Sequence, residues 1–315
     1  MKARGRVGPA PAQQNGRATL PSPRREVRAA DEPLRPTTPG VRAGLLAIAA
    51  VIFLLGLSLF VFPGHTDRLF AWTIQPPLTA AFLGASYWAA TTLALACSAE
   101  REWVCARAFA PPYLIAGVVL LVVTLVHIDK FHMDDITGWA WLTLYAIFPA
   151  GMIALLLQQI RVPGEEPPRL APIPPAALAV LAFQASVMVL LGTALIVAPL
   201  RAAALWPWQI TPLTGRAIGV FVLAQGALIF TVCRERDWGR VRPAMLQYAL
   251  LGVLHLVALL RFSDTVEWHR PVAFLYPVFV AGVLVMGLYG VARVAGAVRS
   301  GTAPAPPRVF RRVLG

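Results

Sequence analysis

Apolar residues fill eight long blocks of the chain, separated by short polar or proline-containing segments. The blocks span 43–62, 78–98, 111–128, 138–158, 174–198, 213–233, 245–262 and 271–293, and the third and seventh are the shortest. An α-helix rises about 1.5 Å per residue, so about 20 apolar residues cross about 30 Å of hydrocarbon. Each block approaches that length, which predicts an all-α integral membrane protein with about eight transmembrane helices. Residues 1–40 are rich in Arg, Pro, Ala and Gly and show no hydrophobic period. Such a segment cannot bury enough apolar surface to offset its ordering entropy, and it reads as a disordered basic tail. The first block is too long for the apolar region of a signal peptide, and no small-residue cleavage site follows it. A second composition break, IRVPGEEPPRLAPIPP at 160–175, divides the remainder. The expected organisation is a four-helix unit over 41–160, a Pro-rich linker over 161–173, a second four-helix unit over 174–295 and a basic tail over 296–315.

The two units correspond in sequence. At a constant offset of 135, residues 77–129 align with 212–264 without gaps, and 17 of the 53 positions are identical. Pro77, Leu78 and Thr79 meet Pro212, Leu213 and Thr214, and Glu100-Arg101-x-Trp103 meets Glu235-Arg236-x-Trp238. Arg107, Tyr113, Gly117 and Asp129 meet Arg242, Tyr248, Gly252 and Asp264. In the first helices Leu55-Gly56 corresponds to Leu191-Gly192, and Pro63 to Pro199. A duplicated unit with an even number of spans enters the membrane twice from the same side, so the repeats are expected to be parallel, not inverted.

Composition agrees with a lipid-facing surface. The chain is 57% hydrophobic and only 14% charged, with a mean hydropathy of +0.65; a soluble domain carries about 25% charge. The net charge of +13 comes from arginines in tails and loops, not from a basic helix or an aromatic-interleaved basic patch, which argues against nucleic acid as a partner. With the N-terminus placed inside, the inner segments hold 22 Lys/Arg against six in the outer ones, and without the N-tail the balance is still 13 to six. By the positive-inside rule both termini are cytoplasmic. Two lysines against 26 arginines, with the Ala, Pro and Gly load, indicate a high-GC bacterial coding bias and hence a bacterial plasma membrane. The lipid bilayer is the expected partner, with anionic lipid at the basic tails. Cys97, Cys105 and Cys233 follow no paired or C-x-x-C spacing and read as free thiols.

Four groups of residues bear on chemistry. WTIQPPLT (72–79) and WPWQITPLT (206–214) fall on the outer face, where Trp72 and Trp208 are expected as interfacial anchors and Thr79 and Thr214 supply hydroxyls near helix starts. Alternatively the two tryptophans line an outward-facing pocket. The E-R-x-W turns, Glu100, Arg101 and Trp103 with Glu235, Arg236 and Trp238, read as a snorkelling ring with local, exposed ion pairs. Gln184, Gln225, Gln247 and His255 lie inside apolar spans of the second unit, where polar groups are costly. They serve either as interhelical hydrogen-bonding glue or as the lining of a polar cavity. HIDKFHMDD (127–135) holds His127, Asp129, His132 and Asp134, a donor set that a divalent metal such as zinc would accept. The five-residue separation of the two histidines is poor for a helical site, so a wet hydrogen-bonded loop is the competing reading. Tyr145 and Pro149, and Tyr276 and Pro277, mark expected helix kinks.

The W-P-W-x-x-T-P-L-T phrase, the following E-R-x-W turn, and the H-x-D-x-F and W-x-W-x-x-Y run (His127–Phe131, Trp139–Tyr145) resemble uncharacterised multi-pass membrane proteins of high-GC bacteria. That resemblance implies an integral membrane protein and transfers no functional residue. No P-loop, Rossmann fingerprint, G-x-S-x-G or C-x-x-C-H motif is present, so no cofactor is evident beyond a divalent metal at the outer cluster. Three functions follow from the residues. The first is a non-enzymatic scaffold or accessory protein, the second a small-solute transporter using a polar cavity between the repeats, and the third a membrane enzyme centred on the outer His/Asp cluster.

Overall fold

The computed structural model describes residues 33–303. Eight long helices account for most of them: α1 (Pro39–Val61), α2 (Pro77–Ala99), α3 (Ala110–Val126), α4 (Ile136–Ile160), α5 (Pro175–Val197), α6 (Pro212–Glu235), α7 (Arg242–Arg261) and α8 (Pro271–Arg299). A short turn of helix, Trp103–Ala106, leads into α3, and with that lead-in all eight are long and apolar enough to cross a membrane. The chain is an all-α polytopic membrane protein. Seven of the helices carry proline at their first or second position, where the missing N–H costs nothing because it would have no intrahelical partner. The exception, α4, is capped by the Asp135 carboxylate, which accepts from Ile136 N at 2.6 Å. Pro149 and Pro277 lie inside α4 and α8, which continue through them.

Burial separates the helices into two classes. In α2, 78% of the most apolar window is buried, whereas in α4 and α8 only 22% is, so α2 is central and α4 and α8 are peripheral. Within each half α1 packs along α2 and α5 along α6; between the halves α2 packs on α7 and α3 on α6. Close approach depends on small residues, as is usual where lipid removes the hydrophobic drive for association. A Cβ added at Gly192 would lie 2.6 Å from Leu223 N and 2.7 Å from the Gly219 carbonyl, so the α5–α6 backbones touch there. The outward faces carry exposed Leu54, Phe183, Leu190, Leu260 and Val278, as a hydrocarbon solvent requires.

Several boundaries differ from those read in the sequence. Residues 34–37, assigned above to the disordered tail, run extended beside the first E-R-x-W turn: Thr37 N donates to Arg101 O at 2.8 Å and Trp103 N to Arg35 O at 3.0 Å. Residues 171–173 of the linker do the same at the second turn, with Ile173 N to Arg236 O at 3.0 Å and Trp238 N to Ala171 O at 2.8 Å. The turns offer unpaired backbone groups, and satisfying those groups orders the flanking chain. The first helix starts at Pro39, and the last continues to Arg299, past the start of the expected C-terminal tail. The rest of the two basic tails, 1–32 and 304–315, lies outside the described residues.

Candidate functional site

Four mid-helix polar side chains meet at one place. Gln184 of α5, Gln225 of α6, and Gln247 and His255 of α7 all line a cavity of about 970 Å³. Gln225 Nε2 donates to Gln247 Oε1 at 3.1 Å, and Gln247 Nε2 to Gln225 Oε1 at 3.0 Å, a reciprocal amide pair that ties α6 to α7. Tyr248 Oη donates to Gln184 Oε1 at 3.1 Å, tying α7 to α5. The His255 ring stacks on Phe82 of α2 at 4.4 Å, and its Nε2 lies 3.2 Å from Ser86 Oγ and 3.3 Å from the Phe82 carbonyl oxygen. That carbonyl only accepts, and it already receives the Ser86 hydroxyl at 3.0 Å. The imidazole proton is therefore assigned to Nε2, which leaves Nδ1 as a bare acceptor.

The remainder of the wall is apolar. Among the described residues no Asp, Glu, Lys or Arg lines the cavity. On α5 the lining runs from Val180 to Ala194, about 21 Å of helix at about 1.5 Å per residue. The exposed side chains of Val180, Phe183 and Leu190 on α5 and Leu275 and Val278 on α8 also belong to the lining, so the cavity opens sideways between these two helices. Four polar atoms there have no hydrogen-bond partner among the described residues: Gln184 Nε2, His255 Nδ1, the Tyr276 hydroxyl and the fully buried Trp206 Nε1.

The first half is built differently at the matching place. Ile48, Ala90 and Pro112 stand where the aligned second half has Gln184, Gln225 and Gln247. The space between α1, α2, α3 and α4 shrinks to a cavity of about 50 Å³, lined in part by Tyr87 and Tyr145, whose hydroxyls bond to each other at 2.7 Å.

The E-R-x-W turns are not exposed rings. Glu100 and Glu235 are buried, as are Trp103 and Trp238, and only Arg101 and Arg236 face outward. Each buried glutamate pairs with an arginine of the opposite half. Arg242 Nε donates to Glu100 Oε1 at 2.6 Å, with a second bond from Nη2 to Oε2, and Arg107 Nε donates to Glu235 Oε1 at 2.8 Å. Arg107 and Arg240 also bond Glu166 of the linker. Burial tends to raise the Glu166 carboxyl, but hydrogen bonds and charge from these two arginines hold it below the ordinary range. Arg107, Arg242, Arg240 and Glu166 were missed as functional partners, although the identical placement of Arg107 and Arg242 in the aligned halves was a visible signal.

The tryptophan phrases are also corrected. Trp72 and Trp208 are buried, and the Trp208 indole donates to Thr79 Oγ1 at 2.9 Å across the half boundary. Neither lines the 970 Å³ cavity, whose wall includes Trp206 instead. Thr214 is buried in a capping box with Thr211. The exposed tryptophans of that face are Trp139 and Trp268, which donate to the backbone carbonyls of Met133 and Ser263 at 2.9 and 2.7 Å.

The His/Asp residues between α3 and α4 are held apart by separate jobs. His132 contacts Phe70 O through Nδ1 at 3.0 Å and Thr73 Oγ1 through Nε2 at 3.1 Å, clamping the α3–α4 loop to the segment before α2. His127 Nε2 accepts from Arg216 Nη1 at 2.7 Å. Asp129 pairs with the neighbouring Lys130 at 2.8 Å, and Asp134 is exposed. Among the described residues no three His, Cys, Asp or Glu side chains are grouped as metal ligands. Comparison with known protein families, curated proteins and solved structures gives no match for this chain.

Proposed function

We propose that the chain is a protein of a bacterial plasma membrane, with both termini cytoplasmic, that takes a membrane-dissolved molecule into its second-half cavity, as a binding protein or carrier. The carrying observation is the 970 Å³ cavity open between α5 and α8. It lies at the top of the range for small-molecule pockets, about 300–1,000 Å³. In the scaffold reading the glutamines serve packing alone, and a packed interface needs no such space. The transporter reading is therefore favoured, narrowed to a solute that arrives through lipid. We also read the chain as two parallel repeats from a duplication. The offset of 135, the reciprocal α2–α7 and α3–α6 packing, and the reciprocal Glu100–Arg242 and Glu235–Arg107 pairs support that reading.

The test is retention. Protein purified in mild detergent is extracted with organic solvent and the recovered molecules are quantified against Ala194→Trp, which fills the cavity from α5. Wild type is expected to hold a lipophilic species near one per chain, and the filled variant to lose it while melting at a similar temperature. Equal recovery from both proteins would remove the proposal.

A further inference from the structure

The unsatisfied atoms of the cavity define what fits it. Gln184 is buried, its Oε1 is taken by Tyr248, and its two amide hydrogens have no acceptor among the described residues. The Tyr276 hydroxyl, on the facing helix α8, is likewise unpaired. His255 is buried with Nε2 committed to Phe82 and Ser86, so Nδ1 presents a lone pair. An unpaired buried donor or acceptor costs about 1–3 kcal/mol, which a matching ligand atom recovers. The buried Trp206 indole N–H on the same wall is a third unpaired donor; donors at separate places along the wall ask for carbonyl oxygens, and the one acceptor asks for a hydroxyl. Among the described residues no ionic side chain lines the cavity to offset a charged head, and an unpaired charge in such surroundings is far more costly than a neutral polar group. The lining reaches about 21 Å along α5, which suits a chain and not a compact solute.

We propose that the ligand is an uncharged lipid alcohol whose head also carries ester carbonyls, with one carbonyl on Gln184, a second on the neighbouring Tyr276 and Trp206 donors, the hydroxyl on His255, and the tail leaving between α5 and α8. This deepens, and rests on, the lipophile-binding reading above. Full-length protein in nanodiscs is titrated with four probes: 1,2-dioctanoylglycerol, its 3-O-methyl ether, dioctanoyl phosphatidate and hexadecane. Dioctanoylglycerol is expected to bind at least about tenfold more tightly than the ether, a factor that corresponds to about 1.4 kcal/mol, within the worth of one buried hydrogen bond. Phosphatidate should bind more weakly still. His255→Phe should abolish the difference between the alcohol and its ether, and Tyr276→Phe should weaken both equally. Should His255→Phe fail to fold, Gln184→Met and Tyr276→Phe still report the carbonyl contact by weakening dioctanoylglycerol toward hexadecane. Equal binding of alcohol, ether and hexadecane would overturn the head-group assignment while leaving lipophile binding intact. Tighter binding of phosphatidate would overturn it through the charge argument. Failure of every probe to bind would remove both the assignment and the reading beneath it.

Discussion

Replacing Glu100 by glutamine leaves the Arg242 guanidinium buried beside a neutral amide. The Arg242 and Glu100 side chains are 6% and 2% exposed, which places the pair in the buried regime, where losing one partner is severe. Coulomb's law at about 4 Å and an effective dielectric near 20 gives about 4 kcal/mol of attraction, and one-sided removal of buried pairs costs about 3–5 kcal/mol. The matching substitution Glu235→Gln should cost less, about 1.5–3 kcal/mol, because both of its arginines, Arg107 and Arg240, keep Glu166 as a partner and Arg107 is 21% exposed. The assay is unfolding of the detergent-solubilised protein by added sodium dodecyl sulfate, for Glu100→Gln, Arg242→Met and the double variant. The double variant should be more stable than the sum of the single losses allows, by about 2–3 kcal/mol. A coupling below about 0.5 kcal/mol would refute the reasoning, since residues that do not interact are additive to that precision.

Three further outcomes follow from contacts described above. Trp208→Phe should lower stability by about 1–2 kcal/mol by leaving the buried Thr79 hydroxyl without its donor, and adding Thr79→Val should cost little more; a melting series of the three variants checks this. Gly192→Leu should separate α5 from α6 and lower the melting temperature more than Gly151→Leu, since a Cβ at Gly151 meets nothing within 4 Å. His127 should make stability depend on pH. Burial first, and then the Arg216 charge, lower its pKa, so the unfolded chain binds the proton more readily. The contribution is complete above the ordinary imidazole pKa of about 6.5 and is lost as pH falls toward the lowered folded value. His127→Phe, which installs the aligned residue of the second half, should flatten a melting profile between about pH 5 and 7.5.

The helices were legible because each needs only a local apolar run and, in seven of the eight, a proline at its start, and both are written in contiguous residues. The mid-span glutamines stood out for the same local reason, namely their cost in an apolar block. Pairing across the bundle was not legible. Glu100 and Arg101 adjoin in sequence and suggest a local ion pair, yet the fold turns Arg101 outward and brings Arg242 in from the other half. Trp72 follows an apolar helix and so reads as an interfacial anchor. It is buried because the segment before α2 folds back, with Ile74 N bonded to Thr66 Oγ1 at 2.9 Å, and because His132 closes the α3–α4 loop over it. Tyr276 was visible only as a neighbour of a helical proline, since the chemistry of a hydroxyl depends on which cavity it reaches.

The exchange of arginines between halves has a consequence for biosynthesis. Glu100 and Arg242 are 142 residues apart, so at a synthesis rate of about 5–20 residues per second the glutamate waits about 7–28 seconds for its partner to be made. Throughout that interval the first four helices hold a carboxylate at the end of α2 with no guanidinium opposite it, and Arg107 lacks Glu235 for almost as long. A nascent first half is thus kept from closing on itself as a finished bundle. It stays receptive at the face that α6 and α7 will occupy, and insertion of those two helices is the step that neutralises both halves together.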